Sequence, residues 1–218
     1  AASPFQFTQG SGWDPQWGTG ASATNAEANV TTGQAHGDQD SSSPGNLTFA
    51  ETNGMRYTFR LEGDSTWWYR PYTIQGTTND PVAITNVADD SATAGTGAVT
   101  VTAQLSAAPG GEKVYVRYTT NDFAQSGLAT ASMSGATATL TIPGVPSGRT
   151  VTYYVLTSTM PTNVLTADYD LCTLRADTAG GTNYSYLVGE AEPVFGNCWH
   201  FPTNEEPASV TMRNPVAP

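Results

Sequence analysis

Hydrolysis and group transfer near neutral pH draw on a side chain that titrates there, and histidine is the usual one. The chain has two, His36 and His200, each in a Gly/Pro-rich stretch with no nucleophile signature beside it. No G-x-S-x-G, H-E-x-x-H or phosphate-loop pattern occurs. Carboxylate pairs stand at Asp89-Asp90, Asp168/Asp170 and Glu205-Glu206. A glycosidase uses two such groups across a cleft, but these pairs fall in expected loops. The sequence therefore assigns no catalytic residue and points to a protein that is not an enzyme.

Two kinds of binding chemistry are better supplied. Asp38-Gln-Asp40-Ser-Ser42 alternates oxygen ligands in an acidic loop, the arrangement a calcium ion takes, and Asp168-Tyr-Asp170 repeats it in miniature. The bidentate Glu and the central Gly of a helix-loop-helix calcium site are missing, and a solvated acidic loop accounts for the same residues. No other cofactor is indicated. Trp13-Asp-Pro-Gln-Trp17 and Trp67-Trp68 could present indole faces to the CH faces of a glycan. The competing reading gives these rings to the core of a small domain short of Leu and Ile.

Composition narrows the partners. The chain has 218 residues with 8 basic and 19 acidic side chains, a formal charge of -11. Nucleic-acid binding needs Lys and Arg against phosphates, so that class is excluded. Anionic membrane surfaces repel such a chain, and no apolar run reaches the roughly 18 residues that cross a bilayer. Ser and Thr together number about fifty, and Thr, Val and Tyr favour pleated sheet. The start, Ala1-Ala-Ser-Pro4, resembles what signal-peptide cleavage leaves, and predicts a secreted, extracellular or cell-surface protein. In that compartment Cys172 and Cys198 are expected to pair. The bridge would close a loop of about 27 residues and restrict the unfolded chain by roughly 3.5 kcal/mol. Sequons at Asn29, Asn46 and Asn183 are candidate glycosylation sites.

The elements that must position these residues are strands. Period-two alternation runs through Val82–Val87, Val99–Leu105, Val114–Tyr118, Ala138–Ile142, Val151–Leu156, Leu171–Leu174 and Tyr184–Val188. Turn residues such as Pro109-Gly-Gly111 and Pro143-Gly144 separate them. Seven strands in about 110 residues, with no helical stretch, predict an all-β immunoglobulin-like β-sandwich over residues 80–189. The strings Val99-Thr-Val-Thr-Ala-Gln-Leu105, Lys113–Phe123, Ile142-Pro143, Tyr153-Tyr-Val155 and Asn183-Tyr-Ser-Tyr186 carry a resemblance. Together they resemble the immunoglobulin-like, fibronectin-type-III-like modules of large secreted bacterial proteins, over roughly half of the chain. The resemblance implies a spacer, adhesive or carbohydrate-associated unit without catalytic residues. Cys172 departs from it, standing where a tyrosine or another large residue is expected.

Residues 1–79 predict a smaller, Trp-rich β domain with a long Gly/Ser/Thr loop from Gly18 to Gly45, and residues 190–218 a tail stapled by the disulfide. Short alternating strands close to both ends, Phe5-Gln-Phe7 and Val210-Thr-Met212, suit addition to the sheet edge of a neighbouring subunit. Head-to-tail addition of that kind does not close on itself and builds a filament. The sequence thus favours a non-catalytic structural subunit that self-associates into a homopolymer. The alternative is a carbohydrate-binding accessory protein working through exposed tryptophans.

Overall fold

The computed structural model describes residues 2–9, 15–19, 26–27, 32–37, 45–63 and 69–189. The first region carries β1 (Ala2–Phe5), β2 (Phe7–Thr8), β3 (Gln16–Gly18), β4 (Ala26–Glu27), β5 (Thr32–Gly37), β6 (Leu47–Ala50), β7 (Arg56–Leu61) and β8 (Tyr69–Thr77). The second carries β9 (Ile84–Asp89), β10 (Val99–Leu105), β11 (Lys113–Thr119), β12 (Gly127–Thr130), β13 (Ser132–Ser134), β14 (Thr137–Ile142), β15 (Thr150–Ser158), β16 (Arg175–Asp177) and β17 (Tyr184–Leu187). Three short helices join them, α1 (Ser91–Ala94), α2 (Thr162–Ala167) and α3 (Tyr169–Cys172). The protein is predominantly β, built from antiparallel sheets with one short parallel pairing, β4 on β6.

The second region follows from alternation. In β10 the side chains of Val99, Val101, Ala103 and Leu105 are buried while those between them meet solvent. β10 pairs with β14 so that Val101 faces Leu140 and Ala103 faces Ala138. This sheet runs β13-β14-β10-β9; the other runs β12-β11-β15, with β16 and β17 both paired to the long β15. Val114 and Val116 of β11 and Val151, Tyr153 and Val155 of β15 meet the β10 and β14 residues in one apolar core.

The β11–β15 sheet is buried on its other face too. Tyr115, Tyr154 and Leu156 pack there with Met160, with Leu165 of α2 and with Cys172 of α3. A strand covered on both faces reads as a continuous apolar run, as Tyr153-Tyr-Val-Leu156 does. Here the structure corrects the sequence. Leu171–Leu174, expected as a strand in a helix-free sandwich, is α3 followed by extended chain. The Asp168 carboxylate sets this by accepting the Leu171 N–H at 3.0 Å as an N-cap.

The first region has a five-stranded sheet, β2-β3-β5-β8-β7, and a three-stranded one, β1-β6-β4. Its core is Trp17, Ala35, Leu47, Tyr72 and Ile74, rimmed by Phe5, Phe7, Phe49, Tyr57 and Leu61. The expected Gly18–Gly45 loop is corrected: β4 and β5 lie inside it, and β5 sits between β3 and β8 with Ala35 fully buried. Gly33 makes this possible, because a Cβ there would stand 2.5 Å from the Tyr72 ring.

The two regions meet along β8. Tyr72 and Ile74 face the N-terminal core, so Thr73, Gln75 and Thr77 face the other way, and all three are buried. The Thr73 hydroxyl donates to Leu171 O at 3.0 Å, and the Gln75 amide donates to Cys172 O at 2.7 Å. Arg60 of β7 donates to Thr173 O at 2.8 Å. The carbonyls at the C-terminal end of α3, which a helix leaves without partners, are thus satisfied by side chains of the other region. The Gln75 carbonyl completes the seam, accepting Thr159 N–H at 2.9 Å, while the Ser158 hydroxyl donates to Cys172 O at 2.6 Å.

Candidate functional site

A cleft of about 460 Å³ opens at this junction, lined among others by Arg60, Arg117, Phe123, Tyr154, Asp170 and Asn183. Arg117 leaves β11 at a position whose neighbours, Val116 and Tyr118, point to the opposite face. Its guanidinium lies 3.8 Å from the Tyr169 ring centroid and 4.8 Å from that of Phe123. Nε donates to the Ser126 hydroxyl and Nη1 to the Tyr154 hydroxyl, each at 3.0 Å. Among the described residues these are its hydrogen bonds, and Nη2 makes none. Burial holds the Tyr154 phenol above its ordinary pKa against the opposing pull of Arg117, so it stays neutral. Arg60 reaches the same cleft from β7, held by Glu62 and Thr173 O.

The loops rimming the cleft are strained. Among the described residues, four that are not glycine have positive φ: Asp122 (57°), Phe123 (62°), Ala179 (49°) and Asn183 (61°). All lie in the 119–126 and 178–183 loops, and for a bulky Phe the conformation is an outlier. Local bonds enforce it. The Thr119 hydroxyl accepts N–H groups from Asn121 and Phe123 and donates to Gln125 O at 2.6 Å. Strain of this kind, on the order of 1–3 kcal/mol per residue, persists where surrounding structure over-determines it and gathers at binding sites.

A second surface is the sheet border from Gly127 to Ser134. β12 forms the outer strand of one sheet, the chain crosses at Ala131, whose N–H donates to Val114 O, and β13 forms the outer strand of the other. Gly-Leu-Ala-Thr-Ala-Ser-Met-Ser contains neither charge nor proline. Other borders are guarded: β7 by Arg56 and Arg60, β16 by Arg175 and Asp177, β9 by Asp89, β1 by Pro4. β17, of four residues, and β2, of two, are also uncharged; β12 and β13 differ in following one another, so that their uncharged stretch runs over eight residues.

The expected site residues are dispersed. Trp17 is 2% exposed in the N-terminal core, with Arg70 over its ring at 4.6 Å, so it cannot stack on a glycan. Trp13, Trp67 and Trp68 lie outside the described residues, as do Asp38, Asp40 and Ser42, Asn29, Cys198, Val210 and Met212. Among the described residues no three His, Cys, Asp or Glu side chains gather to hold a metal. Asp89 and Asp90 serve the backbone and core, Asp89 accepting from Tyr153 at 2.6 Å and Asp90 from Thr100 N–H at 2.7 Å. His36 packs edge-on against Tyr69 in β5 rather than in a loop. Cys172 stands as a buried free thiol, pushed up to about 11 by burial first and Asp168 next, with Arg60 opposing. Asn46 and Asn183 are both half-buried, and Asn183 lines the cleft.

Phe5 and Phe7 are brought together, but not as a free strand. β1 pairs with β6 and β2 with β3, and the Phe5 ring lies 4.9 Å from Phe59 and 5.5 Å from Phe7. Within one chain these strands hydrogen-bond to β6 and β3, each as the outer strand of its sheet. Sequence reasoning missed Arg60, Arg117 and the 127–134 border. The border left a signal, eight residues without charge or proline between two strands. No protein-family model, no curated protein and no solved structure matches this chain.

Proposed function

We propose that this is a non-catalytic, secreted structural protein whose second region is an immunoglobulin-like module, and whose subunits join by strand addition at the 127–134 border. The sheet orders β13-β14-β10-β9 and β12-β11-β15-β17 support the module assignment, being the pattern of a seven- or eight-stranded Greek-key sandwich. One observation carries the assembly reading: an eight-residue border with unpaired edges on two sheets and no guarding charge. With the N-terminal strand committed to its own sheet, the donor is the Val210–Met212 segment.

The test is to place a charge on the border. Thr130→Lys and Ser132→Lys change exposed side chains, so stability should move by no more than about 0.5 kcal/mol. Sedimentation velocity and negative-stain microscopy should show polymers for the unaltered chain and monomers for the lysine variants and for a chain lacking 208–218. Lysine variants that polymerise as the parent does would refute edge addition. Export carries a second check. Alkylation under denaturing, non-reducing conditions should add no mass if Cys172 and Cys198 are paired, and two adducts if they are not. The glycan alternative loses Trp17 to the core; pull-down on starch, cellulose, chitin and xylan, with Trp67→Ala as control, addresses the other tryptophans.

A further inference from the structure

The junction cleft is a built site, and it is separate from the self-association border. We propose that it binds a hydroxylated monocarboxylate of the uronic-acid class, with Arg117 holding the carboxylate.

The guanidinium supplies the first argument. Stacking on Tyr169 and bonds from Nε and Nη1 fix the plane of Arg117 at no further entropic cost to a ligand, while Nη2 makes no bond among the described residues. A planar carboxylate matches such a preset edge. Arg60 offers its own Nη2 from the opposite region, since Nε is taken by Glu62 and Nη1 by Thr173 O.

Charge supplies the second. Asp170 lines the same cleft, so a dianion such as phosphate would be opposed there, and a cation would be opposed by Arg117. A single negative charge on a body that carries hydroxyls is matched, because Asp170 then accepts from a hydroxyl. Thr173, Thr178 and Asn183 add neutral hydrogen-bonding groups, and the Phe123 ring gives a sugar ring's CH face an apolar wall. The volume suits one or two sugar rings. The third argument is the placement of the strained residues: Phe123 and Asn183, two of the four, line the cleft itself.

The experiment is a titration of the full chain with sodium glucuronate, followed by 15N-resolved NMR. Saturable shifts are expected in the amides of Ala176, Thr178 and Asn183, with none from glucose at the same concentration, and neither phosphate nor alanine should displace glucuronate. Arg117→Lys keeps the charge but not the fork, and should weaken binding about tenfold. Arg60→Gln should weaken it about threefold, and carries the test should R117K not fold as judged by circular dichroism. No saturable shift at these amides, an equal response to glucose, displacement by phosphate or alanine, or unaltered affinity in the folded variants would each overturn the assignment. None of these outcomes bears on the 127–134 border, whose lysine variants should bind glucuronate as the parent does.

Discussion

The two regions bury their apolar surface by different means. Residues 82–188 hold an aliphatic core in which two alternating sheets interdigitate, with Val101, Ala138, Leu140 and Val155 wholly inaccessible. Among the described residues, the N-terminal core holds Trp17, Ala35, Leu47, Tyr72 and Ile74, with a rim of half-exposed rings such as Phe49 and Phe59. Aromatic contacts give a few residues much buried area. The N-terminal region docks Thr73, Gln75 and Arg60 on α3, and so gives Leu171 O and Thr173 O their partners and Cys172 O a second donor beside Ser158.

The largest effect that could break this comparison comes from the aliphatic core. Leu140→Ala should cost about 3–5 kcal/mol and unfold both regions in one urea transition, because the seam depends on β15 and α3. Ile74→Ala, in the aromatic core, should cost about 3 kcal/mol and produce an early transition read by tryptophan fluorescence, with the sandwich melting later. A single transition in Ile74→Ala would mean the regions are one cooperative unit and the contrast is only compositional.

Gln75→Leu sharpens the account of the seam. It keeps the volume but strands Thr159 N–H and leaves Cys172 O with the Ser158 hydroxyl alone, and should cost about 1–3 kcal/mol. Thr58→Val, at the exposed position paired with Gln75, should change stability by under about 0.5 kcal/mol. Equal small losses in both would show the seam to be wet.

Much of the sandwich could be read from the chain. β10 coincides with the alternating run Val99–Leu105, and β11 and β14 extend theirs by a residue or so. Alternation suffices where one face is dry and the other wet. It fails where both faces are covered. Thr73 and Gln75 look like a solvent face yet are buried, since what covers them is α3, about a hundred residues further on. Leu171–Leu174 misleads because so short a helix leaves no period, although Asp168 three residues before Leu171 was a legible cap. β5 is hidden by Gly33 and Gly37, which sheet propensity disfavours and which the Tyr72 ring demands at Gly33. The cleft is least legible of all. Arg60 and Arg117 come from different sheets, each looking like an ordinary outward charge on a strand.

A smaller loss than those in the core and the seam tests how the two sheets of the sandwich are clasped. Asp89, at the end of β9, accepts the Tyr153 hydroxyl from β15 across the core. Burial works to raise the Asp89 carboxyl, but bonds from Ser91 and Tyr153 outweigh it and hold it below its ordinary 3.8. Burial first, then the bond and charge of Asp89, push the Tyr153 phenol well above its ordinary 10.0. A lowered carboxyl contributes stability that is present above the unfolded value and lost as pH falls through the folded one. A raised phenol contributes stability that is complete below its unfolded value and lost as pH climbs towards the folded one. The clasp should therefore work at full strength between about pH 4 and pH 10. Unfolding free energies from urea titrations of the parent and Tyr153→Phe should differ by about 1 kcal/mol at neutral pH. The gap should narrow below pH 4 as Asp89 takes a proton, and narrow again above pH 10, where only the parent's unfolded state gains by ionising Tyr153. A gap that stays constant from acid to alkali would mean that the hydroxyl matters for packing alone and that no charge is clasped between the sheets.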